Sequence, residues 1–366
     1  MVLFIIYTLL GLYLALSIIG AIGFFLTKDS NPTDSLPDVK ISIIVCARNE
    51  EKNITYCLQS IMAQKYEPDN FELILVDDNS YDNTVNIARN VLKNARFKYK
   101  ILSNEKHHGK KQSIRRAVSE ANHPLIVTRD ADTFTVSTGW LQSIAEHHQK
   151  TKADFIIAPI SIANYSGLMW ALQAVENNVL SLFSAGSSFY NKAFLCSGAN
   201  LVFTKEIFEK TGAYASHLEI QSGDDVLFLE DVKKIKGKIS FLKSKSAIVL
   251  TYPSLNFSDL IKQKVRWASK FKVNSNFFNV LAAALVFLVN VSFLFAMAAL
   301  PFVPVKLSLQ LFVFLKLSID ILLLFLASTF IKNKNLLWYG LPVAIVYPVY
   351  ACVVGIASLV MKPKWK

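Results

Sequence analysis

Phe71-Glu72-Leu73-Ile74-Leu75-Val76, followed at once by Asp77-Asp78-Asn79-Ser80, is the stretch on which the fold turns. The first six residues form an apolar, β-branched run too short for a helix, which reads as a buried strand. The next four are turn formers, so the strand stops on a pair of carboxylates. Working outward, Ile41–Cys46 reads as an earlier strand, and Asn49-Glu50-Glu51 reads as the opening of a helix that continues through Leu58 and Met62. After the quoted stretch come a helix from Asp82 to about Lys93, a strand over 98–102 and a helix over 111–122. A fourth strand over 125–128 ends on Arg129-Asp130-Ala131-Asp132. Phe155–Ile160 reads as a further strand, and 165–183 as an amphipathic helix near a bilayer. Strand–helix alternation predicts an α/β fold with a mostly parallel sheet covered by helices. In such sheets ligands gather beyond the carboxyl ends of the strands, where these acids fall.

The ends of the chain are of another kind. Hydrophobic residues make up 52% of the 366 residues and crowd the termini. Residues 2–26 carry no charge and are long enough to span a bilayer; a cleaved secretory signal fits less well, because no positive segment precedes the run. Three more apolar stretches, over 277–305, 307–331 and 336–361, follow the central region, and the second is broken only by Lys316 and Asp320. Those two stand four apart, share a helix face and can neutralise one another; a transport site is the alternative. The organisation expected is an anchor over 1–27, a linker over 28–39, a soluble domain over 40–255, an interfacial amphipathic helix over 256–276 and two to three spans over 277–366. Lys362, Lys364 and Lys366 would then lie outside, against the positive-inside tendency, so Pro301/Pro304 and Pro342/Pro348 mark candidate breaks of a re-entrant segment.

Lys and Arg total 39 against 27 Asp and Glu. A basic domain beside membrane segments implies the cytoplasmic side, anionic lipid and phosphorylated substrates, and the flanking spans argue against nucleic acid. The four cysteines have no metal spacing and suggest free thiols in a reducing compartment.

Three acidic sites carry the candidate chemistry. Asp130 and Asp132, one residue apart at a strand end, can hold Mg2+ or Mn2+ whose remaining ligands are diphosphate oxygens and water; an ordinary polar turn is the plainer reading. Asp77 and Asp78 can accept hydrogen bonds from a base or ribose, or one of Asp78, Asn79 and Ser80 can cap the next helix. Asp224 and Asp225, in Ser222-Gly223-Asp224-Asp225, precede a helical stretch over 226–234. There Asp225 is the choice of general base and Asp224 its helper, unless both merely cap. Gln263, Arg266 and Trp267 lie within one helical turn, suited to phosphate and acceptor contacts or simply to anchoring at an interface. Lys110 and Lys111 can contact phosphate or be solvated surface lysines. The pairs His107-His108 and His147-His148 lack metal-ligand spacing.

The order of these motifs is more specific than any one of them. IIVCARNEEKNI, ELILVDDNSYDNTV, GKKQS, Asp130-Ala131-Asp132, CSGANLVFTKEIFEKTGAY, SGDDVLFL and QKVRW together resemble family 2 glycosyltransferases of the GT-A (Rossmann-like) fold over roughly residues 40–270. The Q-x-x-R-W element is similar to that of membrane-integrated members: cellulose, hyaluronan and poly-N-acetylglucosamine synthases and ceramide glucosyltransferases. The resemblance implies inverting transfer from a nucleotide sugar, usually a UDP-sugar, by an integral membrane protein of a bacterial plasma membrane. It matches Asp77 and Asp78, with the Asn49/Glu50 loop, to the nucleotide, and Asp130 and Asp132 to the metal-diphosphate. Asp225 matches the base, although Gly-Asp-Asp stands where Glu-Asp is commoner. Gln263, Arg266 and Trp267 match the acceptor and diphosphate side, with Lys110 as a further phosphate contact. The modest number of apolar segments favours a membrane lipid as acceptor over a growing glycan chain. A non-catalytic scaffold or a transporter with a transferase-like domain is the reading of another class.

Overall fold

The computed structural model describes residues 1–33, 36–215, 218, 223–273, 277–302, 306–331 and 334–361; the side chains of 269–273, 277, 306 and 334 are not among those described. Ser222, Pro304 and the lysines at 362, 364 and 366 lie outside the described residues. The chain divides into two compact units. One comprises Met1–Leu26, Asn164–Gly186 and Pro253–Lys366, the other Thr27–Ala163 and Ser187–Tyr252.

The second unit is the α/β one. Its strands and helices are β1 (Ile41–Ala47), α2 (Ile54–Met62), β2 (Phe71–Asp77), α3 (Thr84–Leu92), β3 (Lys98–Ser103), α4 (Lys110–Glu120), β4 (Leu125–Asp130), β5 (Thr133–Phe134), α5 (Trp140–Thr151), β6 (Phe155–Ile157), β7 (Ile160–Ile162), β8 (Leu201–Thr204), α7 (Lys205–Lys210), α8 (Asp224–Lys234), β9 (Ile239–Phe241) and β10 (Val249–Thr251). Seven strands form one sheet in the order β3-β2-β1-β4-β8-β6-β9, and β5-β10-β7 form a small second sheet. β1 pairs in parallel with both β2 and β4, so the order reverses direction at β1, where α/β sheets open a ligand crevice. Ile41, Ile43 and Val45 of β1, Leu73 and Leu75 of β2 and Val127 of β4 pack into one core with Leu58, Ile61, Trp140 and Ile144 of the covering helices. β1, β2 and β4 are buried on both faces, as near-continuous apolar runs require.

Two sequence expectations are corrected here. Phe155–Ile160 is not one strand: β6 and β7 belong to different sheets, and Pro159 between them has no N–H to donate to a ladder. The helix expected to open at Asn49 starts only at Ile54, because Asn49 sits in the left-handed region (φ 55°) and the backbone after it bonds elsewhere.

The other unit is helical: α1 (Val2–Leu26), α6 (Leu168–Phe189), α9 (Phe257–Val273), α10 (Phe277–Ala299), α11 (Lys306–Ile331) and α12 (Gly340–Val360). Four of its helices are long and apolar enough to cross a membrane, over 2–26, 278–299, 307–331 and 335–360 when the short 3₁₀ turn before α12 is counted. α12 runs unbroken through Pro342 and Pro348, so neither proline ends a re-entrant segment. α1 and α6 meet at glycines: a Cβ on Gly186 would stand 2.3 Å from the Gly20 carbonyl oxygen, which only hydrogens allow. Inside this unit Lys316 is 1% exposed and pairs with Asp320 at 2.5 Å, and Tyr13 donates to the same carboxylate at 2.9 Å.

Candidate active site

Register alone brings the acids to one edge. Asp77 pairs with Ala47 across β2–β1, and Asp130 pairs with Cys46 across β1–β4, so both end their strands level with the last residues of β1. β8 runs antiparallel to β4, with Leu201 opposite Thr128, which returns residues 198–200 to the carboxyl end of β4. Thr128 donates from its hydroxyl to the Gly198 carbonyl at 3.0 Å and fixes that return. α8 then begins on Asp224 and Asp225, both buried.

Lys110, the first residue of α4, stands at the centre. Its Nζ lies 2.7 Å from Asp130 Oδ1 and 3.0 Å from Asp224 Oδ2. Asp225 accepts from the Gly198 N–H at 3.2 Å and, through its other oxygen, from the Val226 N–H at 2.8 Å. A Cβ on Gly198 would lie 2.8 Å from Asp224 Oδ2 and 2.9 Å from Lys110 Nζ, so this approach needs glycine. Desolvation by the surrounding loops pushes Asp132 up to about 6, although its surface is exposed, helped by the charges of Asp130 and Glu50 and opposed by Lys110. Burial lowers the Lys110 pKa, but Asp130 and Asp224 outweigh it and hold the ammonium well above its usual range. Four carboxylates therefore act on one lysine, and the surplus is negative. The solvated-surface alternative for the lysines is overturned: Lys110 bridges two acids and Lys111 is 6% exposed.

The loops beyond β1 and β2 brace each other. Asn49 N–H donates to Ser80 Oγ at 2.9 Å, Tyr81 N–H to Asn49 Oδ1 at 3.1 Å, and Glu50 N–H to Thr84 Oγ1 at 2.8 Å. Asp77 accepts from the Ser80 N–H. Asp78 has a different duty. Its carboxylate accepts from Asn104 Nδ2, His107 Nδ1, His108 N–H and Gly109 N–H, at 2.8, 2.7, 2.8 and 2.8 Å. Burial would raise its pKa, yet the bonds from His108, Asn104 and Gly109 and the charge of His107 hold it below the ordinary range. Four donors occupy the acceptor positions a carboxylate offers. Asp78 thus organises the loop that delivers Lys110. Capping of the next helix is not its task, nor that of Asn79 or Ser80: α3 begins after Asn83, and Asp82 accepts the Thr84 N–H at 3.0 Å.

Gln263, Arg266 and Trp267 lie on α9 of the helical unit. Between them in sequence, Lys264 is buried, pairs with Glu176 of α6, and sets its ammonium 4.2 Å from the Trp267 ring centroid. Tyr350 of α12 donates to the same Glu176 at 3.1 Å.

Gly198, Asn104 and Arg129 carry parts of this geometry that the sequence reading did not assign. Ser-Gly-Ala-Asn just before a strand was a signal for the first. Nothing local signals that Arg129, 1% exposed, lies over Trp140 (4.8 Å to the ring centroid), with Nε and Nη1 lacking hydrogen-bond partners among the described residues. The four cysteines are free, and burial pushes the Cys46 thiol, beside the acids, up to about 12, which makes it unreactive.

Among the described residues no group of three or more His, Cys, Asp and Glu side chains stands ready to enclose a metal ion. Two carboxylates with surplus negative charge still fit Mg2+ or Mn2+, which keep several positions for phosphate oxygens and water.

Residues 42–212 match the family model described as Glycosyl transferase family 2. This stretch, a little under half of the chain, is similar to that family's domain. Two curated relatives are poly-beta-1,6-N-acetyl-D-glucosamine synthases. That of Staphylococcus epidermidis is 24% identical over 260 residues, covering 69% of this chain and 61% of the relative. That of Staphylococcus aureus strain COL is 22% identical over 265 residues, with the same coverages. The chain thus spans less than two thirds of these relatives. A solved structure, a mannosyltransferase from Pyrobaculum calidifontis in complex with GDP-Man and Mn2+, superposes with a TM-score of 0.59 at 16% identity, covering 98% of this chain and 99% of that one. The two share the GT-A-like fold with its mostly parallel sheet, which in this chain is accompanied by long apolar helices.

Proposed function

We propose that this protein is an inverting hexosyltransferase that moves a sugar from a nucleotide sugar to a hydroxyl of a membrane-associated acceptor. The observation that carries the reading is the cluster in which Lys110 bridges Asp130 and Asp224 beside Asp132 and Asp225, at the carboxyl edge of a family 2 domain. Asp77 and the braced Asn49/Glu50 loop are the nucleotide side. Asp130 and Asp132 would hold Mg2+ or Mn2+, which when bound supplies Lewis-acid neutralisation of the departing diphosphate. Asp225, held by the Gly198 N–H, takes the proton of the attacking hydroxyl. Lys110 turns its ammonium to the leaving group, and Arg266 is a second cation for it. Gln263 and Trp267 serve the acceptor.

The relatives' names favour a growing glycan as acceptor and a UDP-N-acetylhexosamine as donor. The position of Gln263, Arg266 and Trp267 on a helix of the apolar unit favours a lipid headgroup. The basic balance of the chain favours a cytoplasmic α/β domain.

The test is release of nucleoside diphosphate by the detergent-purified full chain with UDP- and GDP-sugars, Mn2+ and either a lipid extract or an oligosaccharide, beside Asp132→Ala. Metal-dependent release that Asp132→Ala abolishes is expected, and the labelled product identifies the acceptor. Equal release from both proteins would overturn the reading.

A further inference from the structure

Lys110 and a divalent ion want the same oxygen. The ammonium already lies 2.7 Å from Asp130 Oδ1, and Mg2+ or Mn2+ held by that carboxylate would need the same oxygens. Two cations on one carboxylate would then stand a few ångströms apart, where like charges repel strongly at the edge of a protein. One of them has to give way, and the lysine can. Its backbone is fixed, because Asp78 grips the N–H groups of His108 and Gly109 immediately before it, and α4 begins at Lys110 itself. Its side chain is 33% exposed, and its four-carbon stem lets the ammonium swing while the loop stays still.

A diphosphate provides both a reason and a place for that swing. With the site empty of donor, the surplus of Asp130, Asp132, Asp224 and Asp225 keeps the ammonium between Asp130 and Asp224. A donor brings its own negative charge and offers the ammonium a new partner, which uncovers Asp130. Gly198 makes room for the resting position, since a Cβ there would fall 2.9 Å from Nζ and 2.8 Å from Asp224 Oδ2.

We propose that Lys110 is the resident counter-cation of the acid cluster, that it competes with the divalent ion for Asp130, and that donor binding relieves this competition and so couples metal affinity to the nucleotide. The proposal rests on the reading that Asp130 and Asp132 hold the metal, and it adds an order of events: a metal site that is weak until the diphosphate arrives.

The experiment is Mn2+ binding to the detergent-purified full chain, followed by electron paramagnetic resonance of free Mn2+, with and without UDP or GDP. Four proteins are compared: the unaltered chain, Lys110→Met, Lys110→Arg and Asp132→Ala. The unaltered chain is expected to bind Mn2+ at least tenfold more tightly once the nucleotide is present. Lys110→Met is expected to bind Mn2+ alone about tenfold more tightly than the unaltered chain, with a smaller further gain from nucleotide, because the competing charge is gone. Lys110→Arg keeps the charge and is expected to stay near the unaltered value, which separates charge from side-chain shape and from misfolding. Loss of binding in Asp132→Ala together with no gain in Lys110→Met overturns the counter-cation while leaving the metal site standing. Unchanged binding in Asp132→Ala overturns the metal assignment and the proposal with it.

Discussion

The two units treat buried charge in opposite ways. In the helical unit, ions come in neutral sets: Lys316 with Asp320, and Lys264 with Glu176, each carboxylate also taking a tyrosine hydroxyl. In the α/β unit, the part-exposed Lys110 faces four carboxylates, and desolvation and the neighbouring charges push Asp132 up to about 6. The neutral sets need no further partner, and their cost of desolvation is met by pairing. The surplus beside Lys110 is what the proposed cation, bound with a phosphorylated ligand, would neutralise. A charge removed from the first kind of cluster should harm stability; one removed from the second should harm chemistry.

The sharpest way to break that contrast is Asp225→Asn. A base held by a glycine N–H and removed without change of shape should cost roughly a thousandfold in transfer rate, with the thermal midpoint little altered. Asp224→Asn should cost less, because the ion pair lost leaves Lys110 on Asp130. Rates under single-turnover conditions, measured beside thermal unfolding, decide it; an Asp225→Asn protein of full activity would strip that residue of its role.

The converse variant is Lys316→Met. It leaves the largely buried Asp320 with the Tyr13 hydroxyl but without its cation, which should cost about 3–5 kcal/mol of stability. The double change Lys316→Met/Asp320→Asn should recover most of that loss, and turnover of the folded fraction should be unaffected in both. If turnover fell while the thermal midpoint held, the pair would have a function and the contrast between the units would fail.

Much of this was legible along the chain, for local reasons. β1, β2 and β4 are largely apolar runs closed by turn formers, and a strand's last residue is also where its acid must sit, so Asp77 and Asp130 could be put at a sheet edge from spacing alone. The four long helices announced themselves by length and lack of charge. What was hidden depends on contacts between distant positions. Lys110 and Asp224 are 114 residues apart, and nothing near either reports that a glycine at 198 lets them meet. Asp78 looked like its neighbour Asp77, yet one faces the loop of residues 104–109 and accepts four hydrogen bonds from it. The misplaced start of α2 has the same origin: Asn49 and Glu50 bond to Ser80, Tyr81 and Thr84, so the chain turns there before it coils.

The smallest expected effect concerns a titratable group that neither pairs with an opposite charge nor reacts. His147 of α5 is 6% exposed; its Nδ1 lies 3.0 Å from Ser30 Oγ and its Nε2 3.0 Å from Ser240 Oγ. Ser30 belongs to the segment after α1, whose backbone also bonds to Lys243. Burial, then the charges of Lys150 and His148, push the His147 pKa down to about 4 from an ordinary value near 6.5. The folded imidazole is therefore neutral where the unfolded one would take a proton. Between pH 6.5 and 4 the unfolded chain binds more protons, so stability is fully present above pH 6.5 and falls as the pH drops towards 4. The slope cannot exceed about 1.4 kcal/mol per pH unit for one group. His147→Gln keeps hydrogen-bonding capacity and cannot titrate, so its thermal midpoint should fall less than that of the unaltered chain between pH 7 and pH 5. Parallel curves for the two proteins would mean that His147 titrates alike in both states and that its burial between Ser30 and Ser240 stores no pH-dependent stability.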